Sequence, residues 1–207
     1  MICNDGDEFW LPEKGSLKDY LIKPGSVVKC PRQDMLLDEE QVNSGSKYYQ
    51  SRYTTQHPID FSNDPTEYEK GLSLIIHRVM PKIIVNPHGL VRMRSGNHSA
   101  RHVARRFSQR TEPGIQIYHY PFRSFEQFEK RIRGREILFN SPGARVPRGK
   151  KWVHWVKLLQ EGRLDEEFRN YVLPNEDIDV LLKYGVLRKD EFGRERIGRA
   201  LASGQPR

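Results

Sequence analysis

Three carboxylates within four positions, Asp5, Asp7 and Glu8, stand between the apolar trio Met1-Ile2-Cys3 and the aromatic pair Phe9-Trp10. The pattern calls for a short hydrophobic strand running into a turn, with Phe9-Trp10 anchoring the far side of that turn in a core. Gly6 lets the backbone bend so that the Asp5 and Asp7 side chains can face one point. A carboxylate pair held this way suits a hard divalent cation. Mg²⁺ and Mn²⁺ take oxygen ligands, and Mg²⁺ commonly takes one or two carboxylates together with substrate phosphate oxygens. An acidic surface turn is the simpler alternative. The end of a strand is where ligands gather in open α/β sheets, which favours the cation.

The chain of 207 residues suits one or two domains with a true core. Its mean hydropathy of −0.76 is polar, and an aromatic content of 10% argues against a disordered chain. No apolar run approaches the roughly 20 residues of a membrane span, and acidic residues follow Met1 too soon for a signal peptide. Cys3 and Cys30 lie in apolar surroundings without zinc-like spacing, so they read as reduced thiols in a cytoplasmic setting. Charge is uneven. Residues 101–160 hold fourteen Lys or Arg against four Asp or Glu, a surplus of ten, so the rest of the +8 chain is slightly acidic. Such a segment serves nucleic acid, anionic headgroups or a phosphorylated small molecule, or is a solvated basic helix.

Along the chain, residues 1–4 read as the tail of a strand. Ser16 caps a short helix ended by Pro24-Gly25, and Val27-Val28-Lys29-Cys30 is a β-branched strand. Residues 38–66 read as a long polar loop, and 73–79 are ambiguous between strand and helix. Lys82-Ile83-Ile84-Val85 is a strand stopped by Asn86-Pro87, and residues 90–94 alternate as its hairpin partner. Residues 115–120 form another alternating strand. Ser124 caps a helix over 125–133 whose face carries Phe125, Phe128 and Ile132. Further helices are expected around Trp152 to Leu159, over 164–172 and over 181–186, with a frayed tail. Strands first and helices later give an α/β fold with a helical C-terminal extension.

Seven histidines are present. His57, His77, His88, His102 and His154 read as structural or solvated. His98 follows a tight Gly96-Asn97 turn, and His119 ends a strand between tyrosines, so either imidazole could complete a metal shell begun by Asp5 and Asp7. Lys82, Arg123 and Lys130 are placed near these turns. Arg123 stands at the start of a helix, where a guanidinium suits a diphosphate bidentately.

Asn4-Asp5-Gly6-Asp7-Glu8-Phe9-Trp10, followed by Gly15-Ser16-Leu17-Lys18-Asp19-Tyr20-Leu21, resembles the D-x-D region of family 2-like glycosyltransferases. Pro81-Lys82-Ile83-Ile84-Val85, Ser95-Gly96-Asn97-His98, the run from His119 to Lys130 and the region from Trp152 to Glu167 resemble later blocks of that group. The likeness spans roughly residues 1–170. It implies the C-terminal half of a GT-A type, Rossmann-like mixed sheet over 1–140, with a helical extension over 141–207. The activity it implies is transfer of a sugar from a nucleotide-sugar donor to an unknown glycan, lipid or protein acceptor, with Mn²⁺ or Mg²⁺ neutralising the leaving diphosphate. Carried onto this chain, Asp5 faces the donor ribose or the metal, and Asp7 binds the metal. His98 or His119 is the downstream metal or substrate contact, Asp7 and His98 are the catalytic candidates, and Lys82, Arg123 and Lys130 accompany Asp5 in holding the donor.

The family places a nucleotide-binding βα half before the D-x-D strand, so the expectation is a C-terminal portion that is inactive or impaired by itself. A catalytic base has no clear motif, the candidates being Asp34, Asp38, Glu39 and Glu40, then Asp64 and Glu67. Two other readings compete. An aspartate-nucleophile phosphatase also opens on D-x-D, but Phe9 stands where Thr or Val belongs. A nucleic-acid or anionic-surface binder would use the basic segment, yet no nucleic-acid recognition motif accompanies it.

Overall fold

In the strand Glu8–Pro12 (β1), Glu8, Trp10 and Pro12 are buried while Phe9 and Leu11 are half-exposed, the period-two pattern of a strand with one face on a core. The computed structural model describes residues 1–20, 26–59, 75–103, 108–111, 114–143 and 149–202. Its α/β chain falls into two units that interleave along the sequence: Met1–Asp34, Val79–Tyr120 and Glu195–Arg207, and Met35–Arg78 with Pro121–Arg194.

The first unit is built on strands. After β1 come β2 (Ser26–Cys30) and β3 (Arg32–Asp38), the latter giving its first three residues to this unit. Later come β5 (Lys82–Val85), β6 (Leu90–Met93), β7 (Ala100–His102), β8 (Ser108–Thr111) and β9 (Ile115–His119). Pairing is mixed: β9 runs antiparallel to β1 and parallel to the start of β3. β2 lies antiparallel to β5 and parallel to β8. Trp10, Val28, Cys30, Ile84, Ile115 and Ile117 pack together.

The second unit takes the remainder of β3 and β4 (Tyr53–Thr55), with α1 (Glu39–Asn43) between them. Its helices are α2 (Phe125–Asn140), α3 (Lys150–Gln160), α4 (Leu164–Arg169), α5 (Asn175–Lys183) and the first turn of α6 (Glu191–Ala202), which from Glu195 onward belongs to the first unit, with the short strands β10 (Val172–Leu173) and β11 (Leu187–Lys189) among them. Aromatic rings dominate its core: Phe122 stacks on Tyr171 at 4.3 Å, and Phe128 meets Trp155 edge-on at 5.1 Å. Glu167 is buried among them and accepts hydrogen bonds from Trp155 Nε1 at 3.2 Å and from the Tyr171 hydroxyl.

Several local signals act as expected. Ser16 Oγ accepts from the Lys18 amide ahead of a 3₁₀ turn, and Ser124 Oγ from the Gln127 amide at the start of α2. Others are overridden. The strand follows the acidic motif instead of preceding it, since Ile2 makes only an isolated bridge to Ile84 and three apolar residues do not sustain a ladder. The segment 90–94 pairs with β7, not with the strand Lys82–Val85, because Gly96 and Asn97 adopt positive φ and close a tight connection there. The stretch read as a loop contains α1 and β4, while 60–66 lie outside the described residues. Residues 75–79 are neither strand nor helix, and 73–74 are outside the description, as is the Pro24-Gly25 terminator. α2 continues past Gly134 because Phe139 prolongs its apolar stripe. The helix expected over 164–172 stops at Arg169, since Val172 and Leu173 pair with β3; the one expected over 181–186 starts at Asn175; the tail is helical to Ala202.

Candidate functional site

The register of the first unit gathers the chemistry. Glu8 of β1 stands opposite His119 of β9, and His119 stands opposite Asp34 of β3. Cross-strand partners project to the same face, so three ionisable side chains from three strands form one row. Asp7 is held beside it, because its carbonyl accepts from the Tyr120 amide at 2.9 Å and extends the β1–β9 ladder into the turn. Asp7 and His119 thus meet at the amino end of β1 and the carboxyl end of β9.

His119 is the centre of the row. Its Nδ1 lies 2.7 Å from Asp34 Oδ1, and its Nε2 lies 3.5 Å from Asp7 Oδ2. Burial, the largest influence, lowers the pKa of the ring. Hydrogen bonds donated by the ring to Asp34 and Asp7, and the negative charges of those carboxylates, together override it and raise the pKa to about 9. With Nδ1–H donated to Asp34, the Nε2 atom faces the Asp7 carboxylate.

The second feature is a chain of alternating charges. Lys82 Nζ, 1% exposed, lies 2.5 Å from Asp5 Oδ2 and 3.2 Å from Glu8 Oε1, and Arg32 Nη1 lies 3.3 Å from the same Glu8 oxygen. The Glu8 side chain is fully buried, while Asp5 is half-exposed. Among the described residues, Glu8 Oε2 and Arg32 Nε are buried without a hydrogen-bond partner.

The residues singled out from sequence therefore fall into groups. Asp7 and His119 come together, and Asp5 and Lys82 come together as an ion pair. His98 does not join them: its Nδ1 is bonded to the Pro81 carbonyl at 2.8 Å, beside the strained Gly96-Asn97 turn. Arg123 and Lys130 belong to the second unit and line a cleft there. Of the candidate bases, Asp38 caps α1 by accepting from the Gln41 amide, Glu39 accepts from the Asn175 amide and Glu40 pairs with Arg52 at 2.7 Å. Asp64 and Glu67 lie outside the described residues. Glu8 and Arg32 escape a sequence reading. The one signal for Glu8 is that a charge occupies the position two before Trp10, on the buried face of a strand.

Asp7 and His119 fit a metal site of limited size. Two cis ligands of an octahedral ion at about 2.1 Å stand about 3 Å apart, close to the 3.5 Å seen here. Asp34 behind the imidazole repeats the carboxylate–histidine arrangement that fixes tautomer and ring orientation in metal centres. Among the described residues no group of three or more His, Cys, Asp or Glu stands ready to hold an ion, so two protein donors leave the remaining positions to substrate oxygens and water. No helix among these residues is long and apolar enough to cross a membrane. No family model, curated protein or solved structure matches the chain.

Proposed function

We propose that this chain carries the metal-binding part of a GT-A type glycosyltransferase, transferring a sugar from a nucleotide-sugar donor to an acceptor. The observation that carries the reading is the Asp7–His119 pair, 3.5 Å apart and backed by Asp34 at 2.7 Å. The pair brings one carboxylate of the D-x-D motif to a histidine 112 residues later, the two kinds of ligand that the resemblance assigns to the metal. A set of two donors with open positions also suits Mg²⁺ or Mn²⁺ shared with a diphosphate. When bound, such an ion supplies charge neutralisation to a departing nucleoside diphosphate.

The chain's own residues have separable roles in this reading. Asp7 presents a carboxylate oxygen and His119 its Nε2 lone pair. Asp34 holds the proton on Nδ1, and an incoming ion would displace the second proton, which the raised pKa of the ring keeps on Nε2 in the metal-free protein. Lys82 neutralises Asp5 and Glu8, keeping the turn compact and leaving Asp7 as the acid of the motif that faces His119. The test is release of nucleoside diphosphate from a panel of nucleotide sugars, with Mn²⁺ and with EDTA. Metal-dependent release that Asp7→Asn abolishes supports the reading. No metal-dependent binding or turnover with any donor sinks it.

A further inference from the structure

Helix α2 sorts its charges by face. Glu126, Glu129, Arg133 and Glu136 recur at spacings of three and four and share one side of the helix. On that side Glu129 is bound to Arg133 at 2.7 Å, and Glu136 accepts from Gln160 at 2.8 Å. Gln127, Lys130 and Arg131 recur at the same spacings on another side, next to Arg123 in the approach to the helix. With Pro121 and Phe128 they line a cleft of about 200 Å³. Three cations and an amide thus border one cleft, and no carboxylate does.

Two of the guanidinium groups are fixed before any ligand arrives. Arg123 sits over the Tyr48 ring at 5.6 Å, and Arg131 is held over Phe122, Phe128 and Trp152 at 5.7–5.9 Å. Stacking spends the aromatic-facing surface of a guanidinium and leaves its N–H fork directed along its edge. Among the described residues Arg123 and Lys130 have no ion-pair partner, in contrast to Arg133 on the same helix, which is bound to Glu129.

We propose that this cleft is a phosphate-binding site that works without a divalent cation. The arrangement suits a tetrahedral oxyanion of charge −2 or more: a planar fork can take two oxygens at once, Lys130 adds a point charge and Gln127 a neutral donor. Ligand pockets for whole drug-sized molecules run roughly 300–1,000 Å³, so the cleft is sized for a phosphate or diphosphate group and leaves the rest of the ligand outside. The same chemistry occurs in a nucleoside diphosphate and in a phosphorylated sugar. Because every lining residue belongs to the second unit, the site stands apart from the Asp7–His119 reading.

Calorimetric titration of the full chain with inorganic pyrophosphate in EDTA at low salt tests it. Binding of one pyrophosphate per chain is expected, weakened at least tenfold in the Arg123→Gln/Lys130→Gln double variant and unchanged in Glu166→Gln, at an exposed position away from the cleft. Lys130→Gln alone, at an exposed position, weakens binding several-fold with the fold intact. A nucleoside diphosphate binding as well as pyrophosphate identifies a diphosphate ligand, and a tenfold preference for a hexose phosphate identifies a phosphorylated sugar; either supports the site. Absence of binding in EDTA, or binding that the double variant retains, overturns it.

Discussion

His119 and Asp34 face each other in register on two parallel strands, with His119 Nδ1 2.7 Å from Asp34 Oδ1. That contact decides which imidazole nitrogen looks outward. It makes Asp34 a positioning residue for His119, and it gives Asp34 a defined partner in place of the free carboxylate a general base needs. Replacing Asp34 with Ala is expected to weaken Mn²⁺ binding about 10–100-fold, with Asn intermediate because it still accepts the Nδ1 proton. Titration followed by Mn²⁺ electron paramagnetic resonance reads the loss. Imidazole ¹⁵N shifts separate a change of tautomer from general damage to the fold.

The same ring makes the metal-free protein sensitive to pH. Its pKa is raised from 6.5 to about 9 on folding. The stability it contributes is fully present below about pH 6.5, declines as pH climbs and is gone above about 9. In EDTA, wild type should therefore lose about 3 kcal/mol more than His119→Gln between pH 6 and pH 10. Urea melts at the two pH values measure the difference, and equal losses in the two proteins count against it.

Lys82 is the buried cation between Asp5 and Glu8. Lys82→Met leaves the fully buried Glu8 carboxylate with Arg32 as its remaining partner and should cost about 3–5 kcal/mol. The half-exposed Asp5 adds little to that loss because water screens it. Adding Glu8→Gln should recover part of the stability, since it removes the uncompensated charge. Chemical denaturation of the two variants tests the pair, and a double variant no more stable than Lys82→Met would argue against it.

In the second unit, Tyr171 shares Glu167 with Trp155 inside the aromatic core. Tyr171→Phe keeps the stacking on Phe122 but removes a donor from a buried carboxylate, a loss of about 1–3 kcal/mol. Phe128→Ala opens a cavity in the same cluster and should cost about 3–5 kcal/mol. Thermal and urea melts should rank the two in that order.

What the sequence revealed divides along the distance over which its signals act. The caps at Ser16 and Ser124 and the alternation in Ile115–His119 are local and were legible. Asp7 and His119 were both singled out from local pattern, and the fold brings their side chains within 3.5 Å of each other. Asp34 had no motif because its role comes from a strand pairing that joins residues 85 apart. Lys82 was placed near the site, but its bond to Asp5 spans 77 residues and could not be read from neighbours. Glu8 looked like part of an acidic turn, and only the burial of its strand face makes it a core charge. For His98 the tight turn that presents it was legible, while the bond of its ring to the Pro81 carbonyl, 17 residues away, was not.

In the proposed reading Asp7 and His119, 3.5 Å apart, hold a divalent cation together with a diphosphate. Mn²⁺ electron paramagnetic resonance on the full chain, with a nucleoside diphosphate present, tests it most directly. One bound Mn²⁺ per chain is predicted, with affinity lowered about tenfold or more in Asp7→Asn and in His119→Gln. No bound Mn²⁺, or binding that both variants retain undiminished, would contradict it.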